Sequence, residues 1–256
     1  MYHCFGKQKY MFKKKSVEVV VPIYNEELEL ATNIIKLHSY LKKNLVKYKW
    51  KITIADNASK DKSLFIAEKL AKRLNNVGFI HLDKKGRGRA VKKAWGMSPA
   101  DLLVYMDVDL STNLANLPQL LSALTKGYDI AIGSRLLSKS RVINRPIKRE
   151  IMSRGYNILI KLFFGTHFSD AQCGFKAVTK KIVNKLIPHI LDNAWFFDSE
   201  LLIIGEKAGL KIYEEPVTWI DNPGSTVRVL HTIKGDLLGL WRLFWSRPWR
   251  RLSGNL

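Results

Sequence analysis

Cysteine is nearly absent from this chain of 256 residues; Cys4 and Cys173 are all it has. Two cysteines without paired Cys/His spacing exclude a disulfide framework and give no support to a zinc site, and a reducing compartment fits. Long apolar runs are missing too. No stretch reaches the roughly 18 apolar residues that a membrane-spanning helix needs. The N-terminal segment carries Lys7, Lys9, Lys13, Lys14 and Lys15 but no apolar core of the signal-peptide type, so residues 1–16 read as a basic leader. No Pro-, Gly- or Ser-rich linker and no internal repeat breaks the rest, which predicts one domain over residues 17–228. Acids are scarce: 22 Asp and Glu stand against 43 Lys and Arg, a formal net charge of +21. That balance suits nucleic acid, an anionic membrane or phosphorylated substrates as partners. A hydrophobic fraction of 46% is ample for a core and excludes disorder as the main state.

The first half alternates strand and helix signals. β-Branched or apolar runs at 17–24, 50–55, 77–81, 102–106 and 129–133 read as strands. Helical spacing fills 27–43, 61–73, 89–95 and 117–124. Strands separated by helices of this length imply a mostly parallel sheet covered on both faces, an α/β fold. The second half reads as helices over 151–164, 180–186 and 199–207, with a late strand over 211–219. From 232 to 249, Ile233, Leu237, Leu240, Trp241, Phe244 and Trp245 gather broadly on one side, with Lys234, Arg242, Arg247, Arg250 and Arg251 among or after them. Residues 229–256 therefore read as an amphipathic segment suited to a membrane surface, with a helix packed on the core as the plainer alternative.

Three polar segments fall just after strands, where open α/β sheets bind ligands. Asp107-Val108-Asp109 ends the fourth strand. Two carboxylates so close repel unless a cation sits between them, and a hard divalent ion would also hold phosphate oxygens. Asp56-Asn57-Ala58-Ser59 offers short polar side chains that can hydrogen-bond a base or ribose, though such residues are also common in ordinary turns. Lys84-Lys85-Gly86-Arg87-Gly88-Arg89 joins the third strand to a helix, where glycine backbone and a helix N-terminus favour phosphate. It is neither a Walker loop nor a dinucleotide fingerprint.

Together with Val21-Pro22-Ile23-Tyr24-Asn25-Glu26-Glu27, these segments resemble the family 2 glycosyltransferases of the nucleotide-diphospho-sugar (GT-A) fold, over about Val17 to Leu243. Asp170-Ala171-Gln172-Cys173-Gly174-Phe175-Lys176 and Trp195-Phe196-Phe197-Asp198-Ser199-Glu200 narrow the resemblance to the polyprenyl- or dolichyl-phosphate mannosyl- and glucosyltransferase branch. The resemblance implies roles. Pro22, Tyr24, Glu26, Asp56, Asn57, Gly86 and Arg87 would line the donor pocket. Asp107 and Asp109 would hold Mg2+ or Mn2+ and the diphosphate. Arg135, Arg149 and Ser153 would bind the acceptor phosphate; Arg149 and Ser153, four apart, share a helix face. Asp170, Gln172, Asp198 and Glu200 would border sugar and acceptor. Cys173 reads as packing, not as a nucleophile. Many relatives carry a second acid and a glycine where Asn57 and Ala58 stand, which bears on nucleotide preference.

The expected partners are a nucleotide-sugar (UDP-glucose or GDP-mannose), a polyprenyl-phosphate lipid and a membrane surface, with no nucleic acid. The expected place is the cytoplasmic face of a membrane, peripherally, beside a separate or fused membrane domain. The expected reaction is one inverting displacement. One rival is a family 2 enzyme acting on a hydroxyl acceptor, with Asp198 or Glu200 as its base. A second rival is a non-enzymatic nucleic-acid or membrane binder.

Overall fold

The computed structural model describes residues 14–221 and 229–252. Cys4, most of the basic leader and residues 222–228 lie outside them. Nine strands and eight α-helices are described, alternating through the first half as the periodicity predicts: β1 Ser16–Ile23, α1 Leu30–Asn44, β2 Lys49–Asn57, α2 Ser63–Arg73, β3 Val77–Leu82, α3 Arg87–Met97, β4 Leu102–Met106, α4 Leu117–Thr125 and β5 Ile130–Ser134. The second half runs β6 Arg141–Ile143, α5 Ile147–Phe164, β7 Phe175–Thr179, α6 Lys180–Leu186, α7 Phe197–Lys207, β8 Ile212–Pro216, β9 Thr218–Ile220 and α8 Val229–Ser246. Residues 211–219, expected as one strand, are split at Val217 between β8 and β9, which belong to different sheets.

The main sheet has the order β3-β2-β1-β4-β7-β5-β8. Its strands are parallel except β7, which is antiparallel to both β4 and β5. Central strands such as β1 are apolar on both faces because helices cover both. Against one face, α1, α2 and α4 bury Leu30, Ile34, Leu37, Leu41, Leu70 and Leu121. Against the other, α3, α5, α6, α7 and α8 bury Trp95, Ile160, Leu186, Leu202 and Leu243.

β7 was not foreseen, and it decides where the site lies. In a parallel sheet every strand ends at the same edge. An antiparallel strand begins there instead: Met106, the last residue of β4, pairs with Phe175, the first of β7. The segment Asp170–Gly174 is thereby delivered to the edge that already carries the loops after β1, β2, β4 and β5.

α8 departs from a one-sided helix. Leu240 and Leu243 pack into the core, whereas Ile233, Leu237, Leu238, Trp241 and Trp245 are exposed. Apolar residues therefore occupy both its inner and its outer side, and the core-packed and surface-facing readings each describe one side. α8 packs beside α5, with Phe163 edge-on to Phe244 at 5.8 Å between ring centres. No helix among the described residues is long and apolar enough to cross a membrane.

Leu37 is fully buried and Leu28 is 90% exposed. Leu37→Ala should cost about 2–5 kcal/mol of stability, and Leu28→Ala less than about 0.5 kcal/mol. Urea unfolding of both variants checks the contrast.

Candidate active site

Five loops converge on the carboxyl edge of the sheet. The loop after β1 supplies Tyr24 and Glu26. Pro22, expected in the pocket, is a buried strand residue opposite Ala55, beyond the pairing with β4, which ends at Val20. Its missing N–H is tolerated there. Tyr24 meets the Gly-rich loop directly, with the Lys85 Nζ 3.4 Å from its ring centre.

At the end of β2, Asp56 and Asn57 behave differently. Asp56 is fully buried. One carboxylate oxygen is 2.6 Å from His81 Nδ1 and the other accepts from the Ser59 N–H at 3.3 Å. His81, a β3 residue absent from the sequence reading, thus orients Asp56. Asn57 spends its amide on backbone: Nδ2 donates to the Ile23 carbonyl at 2.6 Å, and Oδ1 accepts from the Gly86 N–H at 2.9 Å. Its part is to pin the Gly-rich loop against β1. Gly86 itself can carry no Cβ, since one would collide with the Asn193 carbonyl.

Arg87 heads α3 and points at the paired acids. Its Nη2 donates to Asp107 Oδ1 at 2.5 Å, and its guanidinium lies over Trp195 at 4.8 Å and Tyr105 at 5.3 Å. Asp107 is also seated by Gly174, whose carbonyl accepts the Asp107 N–H at 3.2 Å. A Cβ at Gly174 would fall on the Asp107 carboxylate. Asp109 accepts from the Ser111 N–H at 3.0 Å and its hydroxyl at 2.7 Å. Burial raises the Asp107 pKa, against the pull of Arg87. Burial, with Glu29, Asp109, Asp107 and Asp61 adding to it, pushes Glu26 up to about 7. Three acids thus crowd one edge in excess of their cations. Among the described residues no three His, Cys, Asp or Glu side chains form a complete metal cage. The donor set offered is two hard carboxylates, which suits a divalent ion that takes its other oxygens from a diphosphate and water.

Across the edge the polarity reverses. Arg135, just past β5, grips Asp170 as a fork, Nε to Oδ2 at 2.7 Å and Nη2 to Oδ1 at 2.8 Å. The Arg135 pair and its hydrogen bonds hold Asp170 down to about 2 despite full burial. Arg149 pairs with Asp221 at 2.8 Å. Ser153, one turn on, is buried, and its Oγ has no partner. Gln172 donates to Asp236 of α8 at 2.8 Å.

Two expected site residues are structural. Asp198 is buried beneath the loop, where its Oδ1 receives the Tyr105 hydroxyl and the Lys176 ammonium, the latter at 2.8 Å. Glu200 has no exposed surface. It accepts from the Leu191 and Asp192 N–H groups and from Arg242 at 2.8 Å, so it ties α8 to the 190s loop. Cys173 is buried, and desolvation pushes its thiol up to about 12, so it is inert packing.

Lys176 received no role from the sequence reading. It is completely buried, and its Nζ donates to the carbonyls of Ala171 at 3.0 Å and Cys173 at 2.7 Å besides Asp198. An ammonium has three protons, and three acceptors surround this one.

A mostly parallel sheet with paired aspartates, a Gly-rich basic loop and a set of arginines at its carboxyl edge defines a glycosyltransferase of the nucleotide-diphospho-sugar fold. Residues 18–187 match the model of Glycosyl transferase family 2, and the chain belongs to that family. It is 34% identical over 232 residues to glycosyltransferase AglD of Haloferax volcanii, covering 90% of this chain but 37% of that protein. It is 29% identical over 239 residues to the dolichyl-phosphate beta-glucosyltransferase ALG5D of Trichomonas vaginalis, covering 88% and 73%. To the Saccharomyces cerevisiae dolichyl-phosphate beta-glucosyltransferase it is 28% identical over 230 residues, covering 82% and 68%. Glucosyl-3-phosphoglycerate synthase of Mycobacterium tuberculosis, crystallised with Mn2+, UDP and glucosyl-3-phosphoglycerate, shares the fold with a TM-score of 0.66, at 15% identity over 90% of this chain and 80% of that one.

Lys176→Met leaves Asp198 buried without its cation and should cost about 3–5 kcal/mol of stability, read by chemical denaturation. Glu26 gives a pH signature. Its folded pKa, about 7, lies above its ordinary 4.5. The protonated form therefore favours the fold, fully below about pH 4.5, and that contribution is lost as pH rises through about 7. Glu26→Gln should flatten this fall, seen as a Tm difference between variant and metal-free wild type that widens across this range.

Proposed function

We propose that the protein transfers a hexose from a nucleotide-sugar to a polyprenyl phosphate of the dolichyl type at a membrane surface, with inversion. The observation that carries this reading is the grouping of two half-buried arginines, Arg135 and Arg149, with the buried Ser153, whose Oγ has no partner, beyond the paired acids Asp107 and Asp109. The names of the eukaryotic relatives favour glucose as the sugar, and we infer UDP-glucose ahead of GDP-mannose as donor. The chain spans 37% of the length of AglD and about 70% of the two beta-glucosyltransferases, so a separate or fused membrane domain belongs to the proposal.

In this mechanism Tyr24 and Asp56, the latter fixed by His81, receive the nucleoside, while the Gly86–Arg87 turn meets the diphosphate. Asp107 and Asp109 would hold Mg2+ or Mn2+ with the diphosphate oxygens, and the ion would neutralise charge on the departing group. Arg135, Arg149 and Ser153 orient the acceptor phosphate, one of whose oxygens attacks the anomeric carbon as the bond to the nucleoside diphosphate breaks. The nucleophile is already an anion, so positioning replaces a general base. The rival hydroxyl-acceptor chemistry needs a base, and its two candidates, Asp198 and Glu200, are held in buried ion pairs.

The division into a leader at 1–16, a catalytic domain at 17–228 and an interfacial segment at 229–256 is part of the same reading. Two helices support it. α8 exposes Leu237, Leu238, Trp241 and Trp245, and α5 beside it exposes Ile147, Ile151, Ile158 and Leu162 along one stripe. Lys148, Arg154, Lys161 and Lys234 share these helices, a pairing of apolar and basic residues that fits an anionic bilayer surface. Arg149 and Ser153 belong to the first two turns of α5, which also carry Ile147 and Ile151, where a lipid headgroup would arrive. We place the protein peripherally on the cytoplasmic face.

Purified protein, vesicles containing dolichyl or undecaprenyl phosphate, Mg2+ or Mn2+ and labelled UDP-glucose or GDP-mannose provide the test. Label should enter the lipid phase from UDP-glucose with inverted configuration, and Asp109→Ala or a chelator should abolish it. Retained configuration, or label reaching only a hydroxyl acceptor, would overturn the reading.

A further inference from the structure

The short link between β6 and α5 places a third arginine at the anion site. Arg145 stands between Asn144, held in left-handed backbone at a φ of 59°, and Pro146, which caps α5. The Arg145 side chain is only 9% exposed. Its Nε and Nη1 are buried without a hydrogen-bond partner, and Nη2 reaches the Arg149 carbonyl at a long 3.4 Å. Glu150 Oε2 stands 3.3 Å from that same Nε as an ion pair outside hydrogen-bond geometry, and its other oxygen accepts from Arg154 at 2.6 Å, which leaves Nη1 as the donor with no partner of either kind. The charges around Arg145 are Arg135 at the end of β5, Glu150 on α5, Asp170 in the loop and Asp221 after β9; burial and Arg135 lower its pKa. Its neighbours are already engaged, Arg135 by Asp170 through Nε and Nη2 and Arg149 by Asp221 through Nη1. Ser153 Oγ, with its residue 7% exposed, is a second buried donor without a hydrogen-bond partner in this part of the chain. Asn157 ties that turn of α5 to the loop, donating to the Ser153 carbonyl and accepting from the Ala171 N–H, each at 2.9 Å. A buried guanidinium with idle donors is costly unless an anion completes it.

We propose that Arg145 is a further acceptor-binding residue of this site, offering Nη1 to a phosphate monoester whose other oxygens meet Ser153, Arg135 and Arg149. The inference rests on the phosphate-acceptor reading above and assigns the headgroup contact to a residue outside the three expected ones. Asp170 and Asp221 keep the neighbouring arginines oriented.

Kinetics of Arg145→Gln, Arg145→Lys and Arg141→Gln test it, the last removing an exposed charge from β6. With vesicle-borne dolichyl phosphate, Arg145→Gln should raise the acceptor KM about tenfold or more, the scale of a lost charge-assisted hydrogen bond. Its KM for the nucleotide-sugar and its Tm should stay near wild type. Arg145→Lys should recover part of the loss, which keeps the test open if the glutamine variant does not fold. Arg141→Gln should change nothing. Inorganic phosphate should compete with the lipid in wild type and several-fold less in Arg145→Gln, which separates headgroup recognition from attraction to the bilayer. An unchanged acceptor KM in Arg145→Gln, or equal phosphate competition in both proteins, would overturn the role of Arg145 and leave the phosphate-acceptor reading standing. Transfer by wild type to a prenyl alcohol but not to the phosphate would overturn both.

Discussion

One buried ammonium organises the catalytic edge. Lys176 lies on the antiparallel strand at the centre of the sheet, with no solvent contact. It is neutralised from α7 by Asp198 and consumes the carbonyls of Ala171 and Cys173. Removing it would leave the buried Asp198 without its ion-pair partner and free the loop from 170 to 174. That loop carries Asp170, which clamps Arg135, and Gly174, against which Asp107 is seated. The acid that would bear the metal and the arginine that would face the proposed acceptor are therefore positioned by the same buried cation. A buried pair of this kind is weak as a source of stability but costly to break. Here what it provides is orientation.

The site is divided by charge. Glu26, Asp107 and Asp109 gather where β1 and β4 end, with Arg87 as the principal nearby cation, and burial of Glu26 among them raises its pKa. Beyond β7, the loops after β5 and β6 and the start of α5 gather Arg135, Arg145 and Arg149. A donor whose diphosphate needs a cation fits the first half, and an anionic acceptor fits the second. The formal charge of +21 has the same sense on a larger scale, since the proposed donor, acceptor and bilayer would all be negative and attraction speeds encounter.

Much of the fold was legible because it is written in local periodicity. The strand-helix alternation to Ser134 follows from β-branched runs and helical spacing, and the polar stops after β1, β2 and β4 mark the ligand edge directly. β7 was hidden. Phe175–Thr179 is five residues long, follows a motif that reads as a loop, and has no turn signal announcing antiparallel pairing. The split at Val217 was hidden for a similar reason, since a continuous extended run does not say that its two halves join different sheets.

The sequence by itself determined the family, the parallel core and the types of chemistry at its edge: paired aspartates, a basic Gly-rich turn, and arginine and serine one helical turn apart. Tertiary structure decided which of those side chains are free to act. Asn57, Asp198 and Glu200 carry the right functional groups but meet backbone or buried cations, and His81, Lys176 and Arg145 acquire roles through what surrounds them. The partners in these contacts are remote along the chain: Asp198 lies 93 residues from Tyr105 and Asp221 lies 72 from Arg149. A hydrogen bond or ion pair depends on distance and burial in space, and a sequence motif records only which groups are available to make it.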